Sequence, residues 1–546
     1  MTTPPTTHRH RTGPILAVIS LALMTVVSAV SGLNVALPDL ARETGATQTQ
    51  ITWIVDSYTV VFAGLLLFAG ALGDRFGRRG LLIGGLSLFG SAAALAMISS
   101  DPQQLIVLRA LMGMGAAAIM PTTLSVITTS FPEADRPKAI GVWVGVAGGG
   151  AVLGLLGSGL LLEFFSWSSF FGLNVVLAGL ALVGTVLVVP GSVGADPPRL
   201  DLVGAALSLV AVGGTVFGII EGPDRGWGDG LTMTALLAGV VALVAFVLWE
   251  LRVESPMLDP RLFRNRAFSA GSLTVLVQFF ATFGLFFVVI QYLQYVVGRS
   301  PLEAAVSLLP LPLVMIPLAR NAPRIARRVG FRRLAPVGLV LTAAGLVVIS
   351  TIDVDLSYGY FALGLVLFAA GMALAGTPST TAITESLPES KQGVASAVND
   401  TSRELGSAFG IAILGSILNQ QYRDGMSDAV HGLPAAVAEG AQSSIAFTQS
   451  AEFAQSGSAA PGVASAAHQA FVNGISGSLL VAAGVVAVTA VIVRVLAPAP
   501  NAKPTDTPMP GDEQADGNVG DQALVSDIMA STSLRTSSAP ASVRAS

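Results

Sequence analysis

The chain has 546 residues, of which 52% are hydrophobic and only 11% charged, and its net charge is −4. A soluble domain carries roughly 25% charged residues, so the apolar excess belongs to faces that meet lipid and not to one outsized core. Cysteine is absent, which excludes disulfides, thiolate metal sites and cysteine chemistry; no metal site is expected, and no nucleic-acid partner.

Residues 1–13 form a short tail that is expected to lie in the cytoplasm. The apolar run after Pro14 is long enough to be a full span and does not have the short core of a cleavable leader. Runs of about 18 or more apolar residues, each able to cross a bilayer as a helix, recur at 14–37, 51–72, 80–99, 105–129, 139–162, 170–190, 202–221, 231–251, 269–292, 303–320, 334–352, 358–380, 394–418 and 475–496. These fourteen spans predict an all-α polytopic membrane protein. The connection 419–473 is rich in Ala, Ser and Gln, with room for a short amphipathic helix but no sign of a binding domain. Residues 497–546, rich in Ser, Ala, Asp and Pro, read as a disordered tail.

Arginine and lysine set the orientation. One set of loops carries Arg75, Arg78, Arg79, Arg136, Lys138, Arg199, Arg252, Arg261, the Arg320–Arg333 cluster and Lys391, while the alternating set carries only Arg42, Arg225, Arg299 and Arg423. The first set is expected in the cytoplasm with both termini, leaving 419–473 outside. The expected location is a bacterial inner membrane.

The chain also repeats itself. Ser130-Phe131-Pro132-Glu133 after the fourth span returns as Ser386-Leu387-Pro388-Glu389 after the twelfth, and Asp74-Arg75-Phe76-Gly77 has an echo in Arg327-Arg328-Val329-Gly330. The repeats predict two six-span halves, 14–190 and 269–496, separated by a linker (191–268) with two inserted spans; such halves around a central site suit alternating access.

Gly70-Ala71-Leu72-Gly73-Asp74-Arg75-Phe76-Gly77-Arg78-Arg79 resembles the signature loop of the major facilitator superfamily. Small residues permit a tight turn, Asp74 can accept hydrogen bonds at a helix N-terminus, and the arginines hold the loop at the surface. The resemblance implies a conformational latch made of Gly70, Asp74, Arg75, Gly77, Arg78 and Arg79. Asn34-Val35-Ala36-Leu37-Pro38, Trp53-Ile54-Val55-Asp56-Ser57-Tyr58 and Leu262-Phe263-Arg264-Asn265-Arg266 narrow the likeness to the fourteen-span drug:proton antiporters, the branch with the quaternary-ammonium exporters. This implies a monomer with no cofactor, driven by the proton gradient.

Arg109 lies inside the fourth span, where a charge is costly unless paired or wetted. It is either snorkelling to an interface or, as the resemblance implies, linked to proton coupling. Asp56 sits in the outer part of the second span, as a proton group or as a wet residue at the mouth. Asp400 and Glu404 are one helical turn apart in the thirteenth span. Two carboxylates so close resist joint ionisation, so one can trade a proton against a cationic substrate; the alternative for Asp400 is a structural pair with Arg403.

The fifth span is glycine-rich, and Gly154-Leu155-Leu156-Gly157-Ser158-Gly159 resembles an antiporter motif that usually carries proline where Leu155 stands and glycine where Ser158 stands. Gly150, Gly154, Ser158 and Gly159 are expected to pack helices closely. A second departure is Ala29, where the family commonly has an acid in the first span. Coupling then falls to Asp56, Asp400 and Glu404, and fewer cavity acids suggest a less cationic substrate. Phe279, Phe283 and Phe286 form a stripe in the ninth span that serves either packing or stacking on an apolar drug; Trp53, Tyr58 and Asn34 complete the expected substrate cavity.

Composition, repeats and resemblance together predict a non-enzymatic exporter of amphipathic drugs, antiseptics or secondary metabolites, with a solute importer or a membrane sensor on the same fold as alternatives. No Gly-x-x-x-x-Gly-Lys-[Ser/Thr] motif occurs, which argues against ATP-driven transport.

Overall fold

The computed structural model describes residues 12–132, 135–191, 200–387, 392–455 and 460–498. Residues 1–11 of the expected N-terminal tail, the tail from residue 499, Arg199 and the loop residues Glu133, Pro388, Glu389 and Lys391 lie outside the described residues. The described helices belong to one unit that ends at Ala497.

In chain order the helices are α1 (Thr12–Ser31), α2 (Leu33–Thr44), α3 (Gln48–Phe76), α4 (Arg78–Ile98), α5 (Pro102–Ser130), α6 (Arg136–Phe164), α7 (Ser168–Val188), α8 (Leu202–Arg225), α9 (Gly230–Glu250), α10 (Arg266–Tyr295), α11 (Pro301–Ser307), α12 (Pro310–Val329), α13 (Phe331–Ile349), α14 (Tyr358–Glu385), α15 (Gln392–Met426), α16 (Ala435–Ser443), α17 (Ala451–Ala454) and α18 (Ala460–Leu496). Several start at a polar cap: Asp101 accepts from the Gln103 amide at 3.0 Å, Asp229 from Leu231 at 2.9 Å and Asn265 from Ala267 at 3.0 Å.

Twelve helices among the described residues are long and apolar enough to cross a membrane. The other two expected spans are also long helices. α6 has an apolar portion over Gly149–Phe164, and α15, 35 residues long, is diluted by Asp400, Arg403 and Glu404. The first span is broken at Gly32 into α1 and α2, and the tenth is broken before Pro310 into α11 and α12. The connection 419–473 is much shorter than expected. α15 runs on to Met426 and α18 starts at Ala460, with α16, a 3₁₀ turn at Phe447–Gln449 and α17 between them. Alanine, the strongest helix former, is abundant before the last span and carries α18 back to Ala460, while the polar stretch Asn419–Met426, without an alanine, prolongs α15.

α1 to α7 pack into one bundle and α10 to α18 into a second, with α8 and α9 packed on each other. The two bundles meet at the Arg-poor end. Gln294 of α10 donates to the Val35 carbonyl of α2 at 3.0 Å, Asn419 of α15 donates to Thr49 of α3 at 2.9 Å, and Gly159 of α6 lies against Pro301 and Ala305 of α11. At the Arg-rich end each bundle has a one-residue hinge. Gly77 (φ 106°) separates α3 from α4 and Gly330 (φ 85°) separates α12 from α13. Both angles lie where a side chain is strained, so the sequence echo of these two loops is also an echo in backbone shape.

Candidate functional site

α10 is the central helix of the second bundle, and nearly all of its middle is buried. From Thr274 to Tyr295 the part-exposed positions are Leu276, Phe279, Thr282, Phe283 and Phe286, one stripe at helical spacing. Phe279 stacks on Phe283 with ring centroids 6.0 Å apart, and Phe286 meets Phe283 edge-on at 6.4 Å. The expected aromatic stripe is thus the accessible face of α10. α15 packs along α10 and brings Arg403 to it, with the guanidinium 4.7 Å from the Phe279 ring centre. Arg403 Nη1 also lies 3.6 Å from Asp400 Oδ1, and Asn399 Nδ2 donates to the same oxygen at 3.4 Å. Asp400 is buried, whereas Glu404 one turn along is part-exposed, without an ion-pair partner among the described residues. Asp400, Arg403 and three aromatic rings therefore share one site between α10 and α15, while Glu404, one turn from Asp400, lies within electrostatic reach of Tyr58 of α3.

The first bundle holds its charges differently. Arg109 of α5 has no exposed surface, so it does not snorkel. Its Nε donates to the Ile54 carbonyl of α3 at 3.0 Å, and its guanidinium carbon lies over Tyr58, 4.3 Å from the ring centre. Nη1 and Nη2 have no hydrogen-bond partner. A desolvated cation on an aromatic face gains about 2 kcal/mol, which helps keep this charge at that depth. Tyr58 and Asn34, expected to line the cavity, are 0% and 1% exposed; Tyr58 Oη donates to the Val26 carbonyl and Asn34 Nδ2 to the Val30 carbonyl. Trp53 is turned to the inserted helix α8, donating to Glu221 at 2.8 Å and packing on Phe217. These three aromatic or amide groups open or close spans, and sequence position gave no azimuth; the structure turns them to helix contacts.

Asp56 is 0% exposed and is not a wet residue at a mouth. Its Oδ1 accepts from Thr59, and Oδ2 has no partner. Thr52, one turn before it, lies against Gly415 of α15, and Val60, one turn after it, clusters with Ala408 and Ala412 of α15. Asp56 therefore sits on the α3 face that is pressed onto the second bundle.

The signature-loop residues gather at the α3–α4 hinge. Asp74 accepts from Arg78 Nη2 at 2.8 Å and from its Nε at 3.1 Å, an ion pair across the hinge in place of the expected bond to backbone amides. Arg79 donates to the Val186 carbonyl of α7 at 2.6 Å, Arg75 lies over Phe76, and Gly70 is in ordinary contact distance of Pro121. In α6, a Cβ at Gly154 would come within 2.8 Å of Ser28 Cα in α1, while Gly150 faces Val27 and Ser158 is buried beside Gly32. The motif allows α1 and α6 to touch backbone to backbone without the missing proline, and Gly159 extends it to α11.

In the sequence, Asn399, Glu221, Asp224 and Asn419 carry no assigned role, and Arg423 enters only as a loop charge. The close grouping of Glu221, Asp224 and Arg225 at a span end was the available signal. Among the described residues no group of His, Cys, Asp or Glu is arranged to hold a metal. A cleft of about 420 Å³ lined by Arg299, Glu303 and Tyr358 is separate from all these groups.

Comparison with known proteins agrees with this architecture. A family model described as Major Facilitator Superfamily matches residues 19–411. The puromycin resistance protein pur8 of Streptomyces alboniger is 35% identical over 431 residues, covering 78% of this chain and 85% of that protein. The tetracenomycin C resistance and export protein of Streptomyces glaucescens is 31% identical over 500 residues, covering 90% and 92%. The multidrug efflux pump LfrA of Mycolicibacterium smegmatis is 33% identical over 498 residues, covering 90% and 98%. Among solved structures, an inward-facing bacterial homolog of the human lysosomal transporter Spinster superposes with a TM-score of 0.60 at 17% identity, covering 91% of this chain and 100% of the other. An auto-inhibited POT family peptide transporter gives 0.60 at 16% identity, covering 91% and 99%.

Proposed function

Because the chain belongs to the Major Facilitator Superfamily, we propose that it is a proton-driven exporter of amphipathic drugs, antiseptics or secondary metabolites. The observation that carries this reading is the site between α10 and α15, where a part-exposed aromatic stripe lies beside Arg403 and its partner Asp400, with Glu404 one turn further along α15. Aromatic rings supply sequence-tolerant apolar contact. A carboxylate pair in a low-dielectric cavity supplies a proton that an arriving substrate can displace. Resistance and export proteins at 31–35% identity over most of both chains support the substrate class.

In this reading the two bundles are the six-span halves of an alternating-access carrier, and α8 and α9 are the inserted pair. The Arg-rich end faces the cytoplasm with both termini, in the inner membrane of a bacterium. The bundles touch at the opposite end, so the cavity is open to the cytoplasm. Asp400 and Glu404 are the main proton site, with Arg109 and Asp56 as accessory groups, and the Gly70–Arg79 loop is the latch for switching. The carrier works as a monomer, without a cofactor.

The test is efflux from drug-loaded, pump-deficient cells that express the protein. Collapsing the proton gradient with an ionophore while ATP stays normal abolishes efflux on this reading. Undiminished efflux under those conditions rejects it.

A further inference from the structure

α8 lies in the groove between α3 of the first bundle and α15 of the second. Up to its last turn it is apolar: Leu209 sits against Gly64 of α3, and Val212, Val216 and Ile220 form one cluster with Val60 of α3 and Ala408 and Ala412 of α15. Its last turn is polar. Glu221 accepts from Trp53 of α3 at 2.8 Å. Asp224 Oδ1 accepts from Arg423 Nη1 of α15 at 2.9 Å and from Asn419 Nδ2 at 3.3 Å. Arg225, the one cation adjacent in sequence that could compete for Asp224, is held by Glu221 at 2.6 Å.

α3 and α15 cannot separate at this end while α8 touches both. One of its two contacts must break, and the chemistry of the two sides differs. Toward α3, Trp53 packs on Phe217 and Glu221 is only 14% exposed. Toward α15, the apolar contacts are to the small side chains of Ala408 and Ala412, and the polar tie is an ion pair with side chains 28% and 32% exposed, which water can replace at small cost. We propose that the inserted helix α8 is the strut of the outer gate: it stays with the first bundle, and the Asp224–Arg423 pair is the tie released each time the Arg-poor end opens. Asp224 and Arg423 are positioning residues for the transport cycle, and the inserted pair is more than a spacer. This rests on the alternating-access reading, but its test does not need transport.

The chain has no cysteine, so engineered thiols are unique. Asp224→Cys with Arg423→Cys, joined by a reducible bifunctional reagent, arrests efflux until reductant is added. Val60→Cys with Gly213→Cys, where a Cβ at Gly213 would lie 3.8 Å from Val60, joins two elements that move together, and its bridge leaves efflux undiminished. Independently of activity, Thr52→Cys, buried in the seam against Gly415, reports opening through a membrane-impermeant maleimide added outside. Asp224→Asn raises its labelling rate about twofold to fivefold, the factor expected for losing a half-exposed ion pair. Exchanging the charges, Asp224→Arg with Arg423→Asp, returns labelling to the parental rate. The exchange also serves if the single variant fails to reach the membrane. Full efflux through the 224–423 bridge, arrest by the 60–213 bridge, or labelling that ignores Asp224→Asn overturns the proposal. A protein with altered labelling but no proton-driven efflux overturns the exporter reading and leaves the strut standing.

Discussion

The two bundles treat their buried charges in opposite ways. In the first, Arg109 and Asp56 have no exposed surface and are fixed by Tyr58, the Ile54 carbonyl and Thr59. In the second, Glu404 is part-exposed and Asp400 shares a loosely held Arg403 that also covers Phe279. A group that exchanges protons and meets a substrate must be reachable, whereas a group that tells one conformation from another is best placed at a contact that forms and breaks. On the proposed reading, the difference gives α15 the main proton chemistry and α3 and α5 an accessory, mainly structural part.

Substitutions can break that contrast. The largest effect is expected for Arg109→Ala. It removes a desolvated cation–aromatic contact of about 2 kcal/mol and the charged hydrogen bond to the Ile54 carbonyl, worth about 1.5–3 kcal/mol, although that carbonyl keeps its bond within α3. Efflux and melting temperature should fall together; efflux loss with an unchanged melting temperature would move Arg109 into the chemical site. Gly154→Leu should come next. A side chain there meets Ser28 Cα at 2.8 Å, and overpacking costs about 1–3 kcal/mol; separation of α1 from α6, read by spin-label distances, is the check. Asp74→Asn removes the charged partner of Arg78 and should slow efflux severalfold with normal membrane insertion.

Smaller effects sharpen the contrast further. Asp56→Asn removes a carboxylate that no cation neutralises among the described residues, so stability should hold or rise while efflux changes modestly, measured by thermal denaturation and drug efflux in parallel. Phe279→Ala and Phe280→Ala differ by one position. The part-exposed Phe279 should alter apparent substrate affinity by about threefold to tenfold, the value of one aromatic contact. The buried Phe280, 4% exposed, should lower stability and leave affinity unchanged.

Much of the fold was legible because span hydropathy survives even where proline and glycine break a helix. The echo of the Asp74–Gly77 loop was legible because a one-residue hinge demands glycine at both Gly77 and Gly330. The 419–473 region was misjudged because polar helix beyond an apolar run has no hydropathic signature. For the site, the acid pair and the aromatic stripe were visible as spacing on single helices. That Trp53, Tyr58 and Asn34 face helix contacts was not, since azimuth depends on neighbours brought together from distant parts of the chain. The Asp224–Arg423 tie was hidden for the same reason: loop charges inform topology in sequence, and only folding pairs them.

The most direct test of the assignment to α15 is drug-induced proton release from proteoliposomes carrying Asp400→Asn with Glu404→Gln. The account predicts a folded protein that still binds drug and releases no protons. Proton release at the parental rate would contradict it and return the coupling site to Asp56 and Arg109.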